Sequence, residues 1–249
     1  VFKAVWKEIA YTISYNLAGG SLPTGKTNPT TFTINSKPMD LVQPKREGYT
    51  FEGWSGTDIK EKDTQVTVTA RPLKDGTYTA NWKENSYTIV FNVEGEVTRG
   101  EMKNIPLRYT QETTIPENGY VCGGYKFVGW RTGGKKSEQK VYQPGDKVSR
   151  LCATNNGTVN LYPIWEPCEY TITFDYQTGN KREKVTCKYK ETYTFPTVNR
   201  LGWTFEGWSR SAGSTNVISY APNVKTAVFK DEKDLTLYAV YKPITSAVF

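Results

Sequence analysis

Histidine is absent from all 249 residues. That excludes Ser-His-Asp and Cys-His nucleophilic machinery, and it removes the commonest metal ligand. Cysteine and methionine are scarce, with four and two residues. No apolar run approaches the ~18–20 residues that cross a bilayer as a helix, and the chain opens on Val1 without the pattern of a signal peptide. No segment sustains a helical period; a short helical turn is expected only at 217–226. Gly/Ser-rich and Pro-rich linkers are also missing. The net charge is +7, but the basic residues form no run longer than pairs such as Lys135-Lys136 and Lys181-Arg182. The clustered stripe that a nucleic-acid partner requires is therefore missing. Carboxylates fall in polar loops and on exposed strand positions. Glu52 and Glu206 occupy matching places where Val128 stands between them, so no glycosidase-like pair or other convergent catalytic motif emerges. Asp231-Glu232-Lys233-Asp234 lacks the spacing and glycine of a calcium loop and reads as a solvated turn. No enzyme activity, metal or cofactor is expected, and no nucleic acid is expected as a partner.

What the chain has is aromatic side chains and a repeat. Aromatics make up 14% of the sequence, including 17 tyrosines and 7 tryptophans, a composition that favours strands. Gly48-Tyr49-Thr50-Phe51-Glu52-Gly53-Trp54 returns as Gly124-Tyr125-Lys126-Phe127-Val128-Gly129-Trp130 and again as Gly202-Trp203-Thr204-Phe205-Glu206-Gly207-Trp208. Such a heptad at nearly even spacing marks a tandem array of one small unit. Within it Tyr49 and Phe51 share a strand face, and strict alternation would send Trp54 to the opposite one. A glycine inside a strand marks a bulge, and a bulge shifts the facing by one residue. Gly53, Gly129 and Gly207 are thus expected to kink their strands and turn Trp54, Trp130 and Trp208 into the core.

Taken in order, the chain divides into repeat one (11–84), repeat two (85–167) and repeat three (168–243). Residues 1–10 match the end of repeat one and read as the closing strand of a preceding, truncated repeat, with Phe2, Ala4 and Trp6 facing inward. Residues 244–249 are a tail or the start of a next segment. Each repeat opens on an alternating strand, as in Tyr11, Ile13, Tyr15 and Leu17. Each closes on a strand that ends in an aromatic, namely Trp82, Trp165 or Tyr241. The expected structural core of the repeats is Tyr49, Phe51, Trp54, Trp82, Tyr125, Phe127, Trp130, Trp165, Trp203, Phe205, Trp208 and Tyr241. Every tryptophan falls on a repeated position, so none is left over as a sugar-binding platform. Tyr120, Tyr142 and Tyr220 are the remaining loop candidates for touching a ligand, whose binding residues the sequence does not assign.

The tyrosine-initiated strand, the Gly-Gly turn at Gly19-Gly20, the heptad and the closing Leu237-Tyr238-Ala239-Val240-Tyr241 resemble the Listeria–Bacteroides repeat, also called the internalin-type B-repeat, over about 11–243. The resemblance implies a mainly β fold of small β-grasp-like α+β units, with the three tandem repeats arranged as an extended array. It also implies an extracellular bacterial protein, cell-wall attached or secreted. The segment would act as a non-catalytic stalk or spacer supporting adhesion, its partners being neighbouring repeats and domains of the same protein and a host surface protein or glycan. The alternative is a carbohydrate- or host-ligand-binding module that uses inter-repeat loops. Trp203 in place of the usual Tyr, and Tyr241 in place of the usual Trp, depart from the family pattern. An extracellular setting permits disulfides. If the hairpin of repeat three turns near residue 178, Cys168 faces Cys187, and Cys122 would pair with Cys152 in repeat two. The alternative is four buried free thiols, since cysteine is a common core residue.

Overall fold

The computed structural model describes residues 2–70, 73–217 and 227–245, the side chains of 227 and 228 excepted. Residues 218–226 of the expected helical turn, and Tyr220 with them, lie outside the described residues. Strands dominate, and among the described residues the sole helical element is a 3-10 turn at Lys136–Glu138. The helix of an α+β unit is therefore not found among them. In repeat one its place after the first hairpin is taken by a Pro-punctuated stretch that ends in a two-residue ladder of Met39–Asp40 with Thr67–Val68.

Repeat one is a five-stranded sheet in the order Thr31–Phe32, Tyr11–Asn16, Gly76–Glu84, Tyr49–Gly56, Ile59–Asp63. Its opening and closing strands run parallel, with Tyr15 opposite Tyr78. The heptad strand lies antiparallel to the closing strand. Repeat three has the same order over four strands, Arg182–Lys188, Glu169–Asp175, Leu235–Pro243 and Trp203–Ser209. In repeat two the opening strand Ser86–Phe91 pairs antiparallel with Ile105–Arg108 and parallel with the first part of Gly157–Pro167. By proximity the chain forms two compact units. The first comprises Val1–Phe91, Lys103–Pro116 and Pro144–Leu161, and the second Asn92–Met102, Glu117–Gln143 and Tyr162–Phe249.

The second glycine of the heptad kinks the strand. Phe51 lies opposite Trp82 but Gly53 opposite Asn81, so Glu52 is the extra residue of a bulge; Phe205 and Gly207 repeat the shift against Tyr241 and Val240. Gly53, Gly129 and Gly207 adopt φ of 119°, 150° and 134°, and a Cβ on Gly53 would fall 2.6 Å from the Asp63 backbone. Only glycine fits there. Past the bulge the side chain reverses face, and Trp54, Trp130 and Trp208 are buried. Each packs on the heptad phenylalanine, at centroid distances of 5.6, 5.1 and 5.4 Å. That ring in turn meets Trp82, Trp165 or Tyr241 at 5.4, 5.8 and 5.9 Å. These aromatic contacts supply much of a small core.

The half-buried closing aromatic also ties off the opening strand. Trp82 Nε1 donates to Leu17 O, Trp165 Nε1 to Glu94 O, and the Tyr241 hydroxyl to Tyr176 O, each at 3.0 Å. A phenol reaches the same acceptor as an indole, so the Trp-to-Tyr exchange in repeat three preserves the bond.

Two expectations need correction. Residues 2–10 form no strand; Phe2 and Trp6 are almost fully exposed, because no adjacent strand pairs with this segment. All four cysteines are free thiols, Cys122 and Cys187 buried, Cys152 and Cys168 half-buried. In repeat three the reason is register. Cys187 lies opposite Tyr170, and Cys168 O accepts from Tyr189 N instead. The hairpin pivots one position later than a Cys168–Cys187 bridge requires, and the two thiols sit diagonally.

Candidate functional site

The first glycine of the heptad serves a different purpose: it forms a joint to the following repeat. Gly48, Gly124 and Gly202 share a left-handed φ of 75°, 72° and 77°, which glycine adopts without penalty. The carbonyl of each accepts the amide of the first residue beyond the closing strand, Asn85 for Gly48 at 2.9 Å, Cys168 for Gly124 at 2.8 Å, and Ile244 for Gly202 at 3.0 Å. In register the bond extends the antiparallel ladder of heptad strand and closing strand by one residue, as Tyr49 opposite Glu84 and Trp203 opposite Pro243 show.

At the first joint, within the first compact unit, the next repeat answers with a tyrosine. Asn85 O accepts from Tyr109 N at 2.9 Å, and the Tyr109 ring lies against Gly48 so closely that a Cβ there would be 1.9 Å from a ring carbon. The ring also meets Tyr49 edge-on, centroids 6.4 Å apart, and the Arg46 guanidinium covers the Tyr49 ring at 3.7 Å. Burial, and then the Glu47 carboxylate that accepts from its hydroxyl, push the Tyr109 phenol up. Asn85, buried, donates from Nδ2 to Ala153 O at 2.7 Å and bonds Thr50 Oγ1 at 2.6 Å. Glu84 accepts from the side chain and the backbone of Thr110, and these bonds hold its carboxyl below the usual range.

The second joint, within the second compact unit, has the same plan. Cys168 O accepts from Tyr189 N at 2.9 Å. The Tyr189 ring lies against Gly124, with a Cβ there 2.4 Å from it, and meets Tyr125 edge-on at 5.3 Å. Lys190, next to the ring, forms an ion pair with Glu96, whose hydrogen bond raises the ammonium. Tyr109 and Tyr189 hold equivalent places. Each follows the strand that returns from the opening hairpin and sits at the second position of a turn closed by Gln111 N to Arg108 O or by Glu191 N to Lys188 O. Sequence reasoning did not single out these two tyrosines or the special role of the first glycine. The signal was present in the tyrosine two residues past the partner of each opening Tyr, but reading it required the hairpin register.

Of the loop candidates, Tyr120 and Tyr142, which lie among the described residues, take structural places. Tyr120 is buried, and Tyr142 is half-buried in a strand beside Trp130. An open cleft of about 400 Å³ in repeat one is lined by Lys60, Asp63 and Lys74, and its aromatics Phe32 and Tyr78 are buried. Asp231 binds Arg210 through two bonds of 2.8 Å, and Asp234 accepts from Thr171 N, so these acids serve structural roles. Among the described residues no group of three or more His, Cys, Asp or Glu is placed to hold a metal. No helix among them is long and apolar enough to cross a membrane.

Three segments, 11–70, 87–162 and 170–240, match the Listeria-Bacteroides repeat domain. The chain is 25% identical over 239 residues to a protein of Evansella cellulosilytica named "Putative membrane protein", an alignment that covers 95% of this chain and 32% of that protein. It is 30% identical over 115 residues to Internalin H of Listeria monocytogenes, covering 45% of this chain and 20% of the internalin. The chain thus spans a third or less of the length of these relatives.

Proposed function

Because this chain belongs to the Listeria-Bacteroides repeat family, we propose that it is a non-catalytic segment of a bacterial surface protein, acting as a spacer that supports adhesion by other parts of the protein. The observation that supports this reading is the pair of joints. Each is closed by a tyrosine ring on the heptad glycine and by a run of backbone hydrogen bonds through the first residue of the next repeat. A flexible linker would leave neighbouring repeats free to swing, whereas a packed joint couples each repeat to its neighbour, as in other repeat arrays. An extended array outside the cell, wall-attached or secreted, is part of this proposal.

Small-angle scattering of the chain tests it. The spacer reading expects an elongated particle, and it expects a double variant Gly48→Val, Gly124→Val to broaden the distribution of lengths because both rings are displaced. A compact particle, unchanged in the variant, would overturn the reading and favour a ligand-binding module, which a glycan array would then probe.

A further inference from the structure

Of the three glycines that open the heptads, two lie beneath a tyrosine and the third does not. Gly48 and Gly124 are buried and Gly202 is exposed. Among the described residues, apart from Gly202 and its two chain neighbours, no heavy atom comes within 4 Å of a Cβ built on Gly202. The backbone and the cation–ring contact of the third position match those of the first joint. Its φ is 77°, Ile244 N donates to its carbonyl, and Trp203 N donates to Arg200 O at 3.0 Å as Tyr49 N does to Arg46 O at 3.1 Å. The Arg200 guanidinium covers the Trp203 ring at 4.5 Å, as Arg46 covers Tyr49. Apolar side chains crowd this surface and face solvent: Leu201 is fully exposed and Ile244 60% exposed. Exposed apolar groups beside a pre-shaped backbone mark an interaction surface.

We propose that Gly202, Trp203 and Ile244 form a socket for a further repeat of this fold, which inserts the apolar side chain at the second position of its first hairpin turn. The occupant follows from the two formed joints, where the same backbone is covered by Tyr109 and Tyr189. Repeat one shows the other half of such a joint. Thr33–Ser36 closes the equivalent turn through Ser36 N to Thr33 O. Thr33 N donates to the Ser36 side chain, as Arg108 N does to Gln111 and Lys188 N to Glu191. Ile34 therefore stands where Tyr109 and Tyr189 stand, and it is 47% exposed. Asn35 donates to Glu8 as Thr110 donates to Glu84. Knob and socket are thus separable halves that recur along one chain. The association is heterologous, one surface against a different one, so it can be extended by further units. The inference rests on the joints and not on the spacer reading; a compact array with a filled socket would overturn the spacer alone.

The test is NMR of the α-protons of the three glycines. A glycine beneath an aromatic ring is shifted upfield, so Gly48 and Gly124 should be shifted in the chain as it stands and Gly202 should not. Tyr109→Ala and Tyr189→Ala should each release the corresponding glycine, which calibrates the signal. Appending a copy of residues 86–167 after Ile244 should then move the Gly202 signal upfield, and Tyr109→Ala in the appended copy alone should return it. A second extension with residues 169–243, presenting Tyr189 as the ring, guards against misfolding of the first. A Gly202 signal that stays put while either appended repeat is folded, or that shifts regardless of the tyrosine, would overturn the proposal.

Discussion

Gly124→Ala puts the joint to a quantitative test. The substitution adds one methyl to a residue at φ 72°, and the left-handed conformation alone costs a non-glycine residue about 1–2 kcal/mol. It also places a Cβ 2.4 Å from the Tyr189 ring, closer than any carbon contact tolerates, so the ring must leave. Leaving forfeits the edge-on pair with Tyr125, about 0.5–1.5 kcal/mol, and loosens the Tyr189 amide, whose bond to Cys168 O contributes about 1 kcal/mol. Gly202→Ala carries the same backbone strain at φ 77° with no ring to displace. The excess of the first variant over the second is therefore about 1.5–2.5 kcal/mol, or roughly 10- to 70-fold in an opening equilibrium. Amide hydrogen exchange measures it locally, without assuming a single cooperative unfolding step. The Cys168 and Tyr189 amides should accelerate by that factor more in Gly124→Ala than the Ile244 amide does in Gly202→Ala. Equal acceleration in the two variants would refute the argument, since the ring would then contribute nothing.

Trp54→Ala and Trp208→Ala should each destabilise their repeat by about 3–5 kcal/mol in denaturant melts followed by near-UV dichroism. Trp208→Phe should cost about 1 kcal/mol more than Trp54→Phe, because the Trp208 indole donates to Pro196 O at 3.0 Å while that of Trp54 meets no acceptor among the described residues. Alkylation without reductant, followed by intact mass, should label Cys152 and Cys168 quickly and the buried Cys122 and Cys187 slowly, since burial pushes the latter two thiols up; four thiols should react once the chain is unfolded, and fewer would mean bridges. Tyr176 is pushed up to about 12 by burial and then by its Glu183 partner, and burial also raises Tyr78 and Tyr241. The folded state keeps these phenol protons where the unfolded state loses them, so stability is full below about pH 10 and falls as pH rises towards 12. Melting temperatures across that window that do not fall would contradict the assignment.

The strand-rich repeat and the heptad kink were legible in the sequence because both rest on short-range chemistry. Phe51, Gly53 and Trp54 fix each other's facing through strand alternation and one bulge, and the pattern recurs three times. The cysteine pairing was less legible. A hairpin pivot displaced by a single position carries Cys187 from Cys168 to Tyr170, and no local signal fixes that register. The joints were illegible for a related reason. Their knob is Tyr109, Tyr189 or Ile34, residues of differing type set in loops of differing length. Their glycine resembles any turn glycine until its neighbour is seen. Long-range geometry decided both. The same holds for the segment at Phe2 and Trp6, whose alternation reads as a strand although among the described residues no strand pairs with it.

Each repeat carries the glycine on its way out and the turn residue on its way in, and the heptad that presents the glycine also builds the core. A stretch of DNA copied in register from any point of one repeat to the equivalent point of the next therefore encodes a complete coupling at both new boundaries. Copy number can rise or fall by unequal recombination without a compensating mutation anywhere else. Drift in either half of the coupling is a different matter, because it must be matched in the neighbour. Selection is thus expected to leave the number of repeats fluid while holding the glycine fixed.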